Sequence, residues 1–297
     1  MKNIRYIHRA TGEIHQEIVP GEKWLQWLYH NPFGRLALQA VVKRKFLSRW
    51  YGKKMDAPAS RAKIVDFITS LQIEMDEALR PVDEFQTFNE FFIRQLEPDA
   101  RPIDMNPDVI VSPADGKVLA FDDMRRLDTF FAKGQEFSLN EFLAEDRLKN
   151  KYIGGNLLII RLAPADYHRF HFPMDGQISR STPVNGDYYS VSPYAVKKHI
   201  RIYWENKREY SILSTVNAGD IFLCEVGATM VGSIVQSYIP ETVVKKGQEK
   251  GWFKFGGSTI IVLLEKDRVQ IDRDILDNTN NGYETSIKMG EHLATAF

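Results

Sequence analysis

Apolar positions along the chain fall into two textures. In SRAKIVDFITSLQIEM, beginning at Ser60, the residues Ile64, Phe67, Ile68 and Leu71 recur at helical spacing behind a serine that reads as an N-cap. TFNEFFIRQL opens with Thr87 and Glu90, the pattern of a capping box, ahead of Phe91, Phe92 and Leu96. SLNEFL repeats that pattern with Ser138 and Glu141. Residues up to about Leu96 are therefore predicted to be helical. From Pro107 onward the runs VIVSPADGKVLAF, NLLIIRL, HIRIYWENKREYSIL, DIFLCEV and STIIVLLE are β-rich and punctuated by Gly, Asn and Asp. Asp115-Gly116, Asp175-Gly176 and Asn185-Gly186 are turn dipeptides between such runs. Strands in this number without intervening helices predict an antiparallel, sandwich-like or barrel-like sheet rather than a doubly wound one. The predicted fold class is α+β: a helical region over 1–100 and a β-rich domain over 101–297, divided at the Pro- and Asp-rich EPDARPIDMNP. The chain carries no internal repeat and no low-complexity segment.

Composition narrows the class. With 297 residues, 43% hydrophobic and 26% charged, the chain can bury a substantial core, which excludes disordered and fibrous architectures. The single cysteine, Cys224, excludes a disulfide framework and a Cys-rich zinc site and predicts a reducing compartment. In MKNIRYIHRATGEIHQEIVPGEK charges interrupt the apolar pairs, so no secretory signal is expected and the protein is expected to stay in the cytoplasm. The longest uncharged run, Val226 to Pro240, is too short and too polar to span a bilayer. Membrane association, if present, is then peripheral.

Charge changes the picture locally. Lys+Arg and Asp+Glu both total 39, giving zero net charge. Yet between Glu22 and Asp56 there is no acid, while Lys23, Arg35, Lys43, Arg44, Lys45, Arg49, Lys53 and Lys54 are all basic. Trp24, Trp27 and Trp50 stand in the same block with Tyr29, Phe33, Phe46 and Tyr51. Such rings sit at headgroup level while cations meet anionic lipid, and each cation near the surface contributes about 1 kcal/mol. A membrane-facing block is the favoured reading, with Trp24, Trp27, Lys43, Arg44, Lys45, Arg49 and Trp50 as contact candidates. A solvated helical hairpin and a nucleic-acid surface are the alternatives.

Three segments carry candidate chemistry: SPADGKV with Asp115, PADYHRFHFP with His168 and His171, and KFGGSTIIVLLE with Gly257, Ser258 and Thr259. Asp-Gly alone is most often a turn. On a helical turn the two histidines would share a face, as in a metal half-site; on a strand they would point oppositely. Two glycines and a hydroxyl ahead of an apolar strand leave the Gly257 carbonyl open to approach by the Ser258 hydroxyl, a candidate self-cleavage site.

Together the segments are more specific than any alone. FQTFNEFFIRQL, VSPADGKV, EFSLNEFL, LAPADYHRFHFP, EVGATMVGSI and KGWFKFGGST resemble, in order, segments of the pyruvoyl-dependent phosphatidylserine decarboxylase family, in its GGST-type branch. The resemblance implies self-cleavage between Gly257 and Ser258 into a β chain of residues 1–257 and an α chain of residues 258–297 that stay associated. It implies that Asp115 orients His171, that His171 takes the Ser258 proton, and that Ser258 becomes a covalent pyruvoyl cofactor. It further implies decarboxylation of phosphatidylserine to phosphatidylethanolamine and CO2 through a Schiff base, with His168 as proton donor. The implied partners are phosphatidylserine, an anionic membrane surface on the cytoplasmic face of the cell membrane and a second copy of the chain in a homodimer, with no nucleic acid and no metal. A metal-dependent hydrolase using His168, His171 and His199, and a non-enzymatic membrane adaptor, are the competing readings.

Overall fold

The computed structural model of the chain describes residues 4–19, 27, 31, 45–124, 139–143, 145–196, 199–228 and 233–297. Its strands are β1 (Arg5–Ile7), β2 (Ile14–Gln16), β3 (Val109–Val111), β4 (Gly116–Phe121), β5 (Asn156–Leu162), β6 (Arg169–His171), β7 (Gly176–Ile178), β8 (Thr182–Val184) and β9 (Arg208–Ser214). They continue with β10 (Asp220–Gly227), β11 (Ile234–Gln236), β12 (Val243–Val244), β13 (Glu249–Phe253), β14 (Ser258–Leu264), β15 (Val269–Ile271), β16 (Glu284–Ile287) and β17 (His292–Ala296).

The main sheet runs β12-β7-β9-β10-β14-β5-β4-β16-β1-β2, with β8 also paired to β9. β1 and β16 are parallel, while β10, β14, β5 and β4 are joined antiparallel. Among the described residues the sheet ends on the two-residue β12 and the three-residue β2 and does not close, which corrects the expected barrel-like form. Short edge strands of this kind offer little backbone for a closing partner. Two three-stranded sheets, β11-β13-β6 and β15-β17-β3, flank it. NLLIIRL and STIIVLL become the central β5 and β14, buried at every position, because both faces are covered and alternation is not required.

The helical part is smaller than the apolar spacing predicted. α1 (Lys45–Met55), a 3-10 segment (Pro58–Lys63), α2 (Ile64–Leu71) and α3 (Phe88–Phe92) gather a second apolar cluster of Met55, Ile64, Phe85, Phe88, Phe91 and Phe92. The early chain is not helical throughout, since β1 and β2 form a hairpin added to the main sheet. There the backbone pairing decides the conformation, with Gly12 at φ +71° helping the chain reverse. Ser60 does not cap α2. Pro58 starts a 3-10 turn instead, and Ser60 Oγ donates towards Met55 O at 2.9 Å and Ala57 O at 2.6 Å while accepting from Phe88 N at 2.9 Å. The Thr87 cap is present, its hydroxyl accepting from Glu90 N at 3.2 Å, and Glu90 returns a bond to Gln86 N. Ser138 lies outside the described residues, although Leu139–Phe142 is helical.

Of the membrane-contact candidates, Trp24, Lys43 and Arg44 lie outside the described residues, and Lys45 and Arg49 fall on α1. Trp27 and Trp50 are exposed, and Lys54 sits over the Trp50 ring at 5.4 Å. Among the described residues no helix is long and apolar enough to cross a membrane.

Candidate active site

Ser258 is the first residue of β14, flanked by Gly227 on β10 and Leu162 on β5. The chain reaches it through Phe255, which packs edge-on against Phe88 and Phe92 at 4.9 Å each, and through Gly256 at φ +140°, a conformation L side chains rarely adopt. The aromatic cluster therefore anchors the segment that delivers the Gly257–Ser258 peptide.

The Ser258 hydroxyl is buried, 3.3 Å from Nδ1 of the fully buried His168. His168 Nε2 lies 3.1 Å from the Ala163 carbonyl, which can only accept, so Nε2 carries the proton and Nδ1 presents its lone pair to the hydroxyl. Burial, reinforced by the Arg94 guanidinium, pushes His168 down to about 3. The ring is thus neutral at physiological pH. It stacks on Phe92 at a centroid distance of 3.9 Å. The preceding turn is braced by Asp166, which accepts from Ala163 N at 2.6 Å and from Lys117 Nζ at 2.8 Å.

His171 sits elsewhere. Its backbone N–H donates to Pro113 O at 2.8 Å, its ring stacks on Tyr167 at 5.8 Å, and its buried Nδ1 has no hydrogen-bond partner. Burial also pushes it down, to about 4, against the opposing pull of Glu249. Asp115 is held by Arg101, which donates from Nε at 2.9 Å and Nη2 at 2.6 Å, and it accepts from Met289 N at 2.8 Å. Among the described residues the structure thus joins Ser258 to His168, ties His171 to the loop that carries Asp115, and puts no hydrogen bond between Asp115 and His171. The two histidines separate because His171 closes strand β6 and an offset of three along extended backbone reverses the facing.

Among the described residues no group of three or more His, Cys, Asp or Glu could hold a metal ion. His199 lies 3.2 Å from Glu205 instead. Sequence reasoning passed over Arg101, Lys117, Arg161 and Asp166. The legible signal for two of them was a cation inside an apolar run, Arg161 in NLLIIRL and Lys117 in GKVLAF. A cleft opens beside the Gly257–Ser258 peptide, its wall including Glu17, Arg161, Ala163, Val191, Ser192 and Gly257.

A buried hydroxyl held by a neutral imidazole, next to a glycine carbonyl at the head of a central strand, has the chemistry of an activated nucleophile beside its own backbone. Residues 88–295 match the sequence model of the family described as phosphatidylserine decarboxylase. The chain is 56% identical over 290 residues to a phosphatidylserine decarboxylase proenzyme of Fusobacterium nucleatum, covering 98% of this chain and 97% of that one. It is 44% identical over 292 residues to one of Clostridium novyi and 43% identical over 290 residues to one of Clostridium perfringens, covering 98% of this chain and 99% of each. The chain belongs to the phosphatidylserine decarboxylase family.

Proposed function

We propose that this chain decarboxylates phosphatidylserine to phosphatidylethanolamine and CO2, using a pyruvoyl group formed from Ser258. The observation that carries the reading is the Ser258 hydroxyl resting on an unprotonated imidazole nitrogen next to the Gly257 peptide. As a neutral histidine takes the hydroxyl proton, Oγ bonds to the Gly257 carbonyl carbon, the Gly257–Ser258 C–N bond breaks, and the freed nitrogen takes up the proton. Loss of the Ser258 α-proton expels the Gly257 carboxylate, and water then replaces ammonia to leave a keto group. Residues 258–297 begin with the core strand β14, paired on both sides to residues of 1–257, which supports continued association of the two chains.

The site fits the group. Residue 258 faces His168, whose ring is fixed between Phe92 and the Ala163 carbonyl, and the neighbouring cleft runs past Gly257. Once formed, the group supplies an electron sink for the bond that releases CO2, which no ordinary side chain provides. In this reading His168 holds and moves a proton at residue 258 during turnover, supported by its 3.3 Å contact with the Ser258 hydroxyl. His171, neutral and with an unpartnered Nδ1, takes the cleavage proton in the assignment the family resemblance supports, with Asp115 fixing the loop beside it. A second reading, favoured by the 3.3 Å contact, makes His168 the cleavage base as well. Gel analysis of two variants separates them. His171→Ala staying uncleaved while His168→Ala cleaves and turns over poorly fits the first assignment; His168→Ala staying uncleaved while His171→Ala both cleaves and turns over fits the second. Cleavage and decarboxylation by Ser258→Ala would contradict both.

The basic block from Lys23 to Lys54, with exposed Trp27 and Trp50, supports peripheral attachment to anionic lipid on the cytoplasmic face.

A further inference from the structure

Arg161 has no part in the steps above. It is a buried cation on the central strand β5, and an arginine there requires anions. It has two, on different sides of its fork. Glu284 on β16 accepts from Nε at 2.9 Å and Nη2 at 2.6 Å, fixing the orientation of the guanidinium. The terminal edge faces Glu17, whose oxygens accept from Nη1 at 2.9 Å and Nη2 at 2.5 Å.

The two carboxylates are held differently. Glu284 lies within a strand paired on both sides, to β1 and β4. Glu17 stands just beyond the edge strand β2, its backbone N–H bonded to Ile4 O at 3.0 Å. Glu17, Arg161 and Gly257 line the same cleft, where Ser192 contributes a buried hydroxyl without a hydrogen-bond partner. The Gly257–Ser258 peptide and an arginine edge covered by the Glu17 carboxylate thus share one opening.

We propose that Arg161 binds the phosphodiester of the lipid headgroup and that Glu17 holds its place in the substrate-free chain. This rests on the decarboxylase reading of the site. A guanidinium edge presents two parallel N–H donors that suit phosphate as they suit carboxylate. With Lys117 and Asp166 adjacent, two cations face three carboxylates, and exchanging Glu17 for a singly charged phosphodiester leaves that balance unchanged. The substrate carboxylate is the poorer occupant. Its charge leaves as CO2 departs, so an arginine on it would stabilise the ground state more than the transition state. Glu17 therefore acts as an internal competitor, and apparent affinity is reduced by the fraction of chains in which it is seated.

Isothermal titration calorimetry of the full-length, processed protein with dihexanoylphosphatidylethanolamine tests this, because that lipid carries the phosphodiester and is not turned over. Glu17→Gln is expected to bind it about fivefold or more tightly than wild type, with KM for dihexanoylphosphatidylserine falling in parallel and kcat little changed. Glu17→Asp, which keeps the charge and shortens the reach, is expected to fall between, and Arg161→Lys to bind about tenfold more weakly with cleavage intact. Unchanged or weaker binding by folded Glu17→Gln overturns the proposal, as does a gain confined to free L-serine, which has the carboxylate and no phosphate. Should Arg161→Lys fail to fold, the Glu17 pair still decides. A protein that shows the Glu17 effect but releases no CO2 from phosphatidylserine would sink the decarboxylase reading and leave the anion site standing.

Discussion

At the scale of single residues, Asp115, His168, His171, Gly257 and Ser258 stand out as candidate chemistry-bearing groups because each lies in a short, compositionally unusual segment. Their pairing is not legible there. Whether 168 and 171 share a face depends on local backbone, and extended chain leaves only His168 on the Ser258 hydroxyl. The hydroxyl can lose its proton to this ring because burial keeps the ring neutral. The same burial ties stability to pH. Both histidines are depressed in the fold, to about 3 and about 4, below an unfolded value near 6.5, so the unfolded chain binds their protons first as pH falls. The stability they contribute is complete above about pH 6.5 and is lost progressively as pH drops towards about 4 and then 3. Melting curves from pH 7 to pH 4 are expected to show the wild-type Tm falling more steeply than that of His168→Gln with His171→Gln combined. Parallel curves would show that the rings are not held neutral.

At the scale of elements, four of the five apolar runs became strands, whereas HIRIYWENKREYSIL is helical at Ile202–Glu205 before β9 and helices at Asp146–Tyr152 and Arg273–Asn280 stand between strands where none was expected. β5 and β14 emerged with their hydrophobic character intact because both are covered on two faces. Caps were read less evenly. Thr87 caps α3 as the Thr-x-x-Glu spacing indicates, whereas Ser60 was claimed by a 3-10 turn after Pro58 and joins three backbone groups instead. Those contacts rank the two serine/threonine positions. Thr87→Ala is expected to cost about 1 kcal/mol, as an N-cap loss does. Ser60→Ala is expected to cost about 2 kcal/mol, because Phe88 N would be left buried without its acceptor. Urea titrations of both variants check the order; a smaller loss for Ser60→Ala would mean that water or backbone movement satisfies Phe88 N. The β1–β2 hairpin escaped prediction because strands of three residues interrupted by charge leave too short a period to read.

At the scale of the whole molecule, zero net charge conceals a basic stretch from Lys23 to Lys54, and among the described residues an open eleven-stranded sheet replaces the barrel-like alternative. Closure was not legible because it depends on which edges meet, and side-chain pattern does not encode that. The charge asymmetry predicts flotation with anionic vesicles that weakens as salt rises, and little flotation with neutral ones. Equal, salt-insensitive binding to both would contradict an electrostatic attachment. Everything proposed for catalysis turns on the Gly257–Ser258 peptide, and intact mass spectrometry of the purified active protein reads its fate directly. The account predicts two chains, residues 1–257 and 258–297, the shorter beginning with a keto group in place of the Ser258 amine; one full-length mass in a catalytically active sample would contradict it.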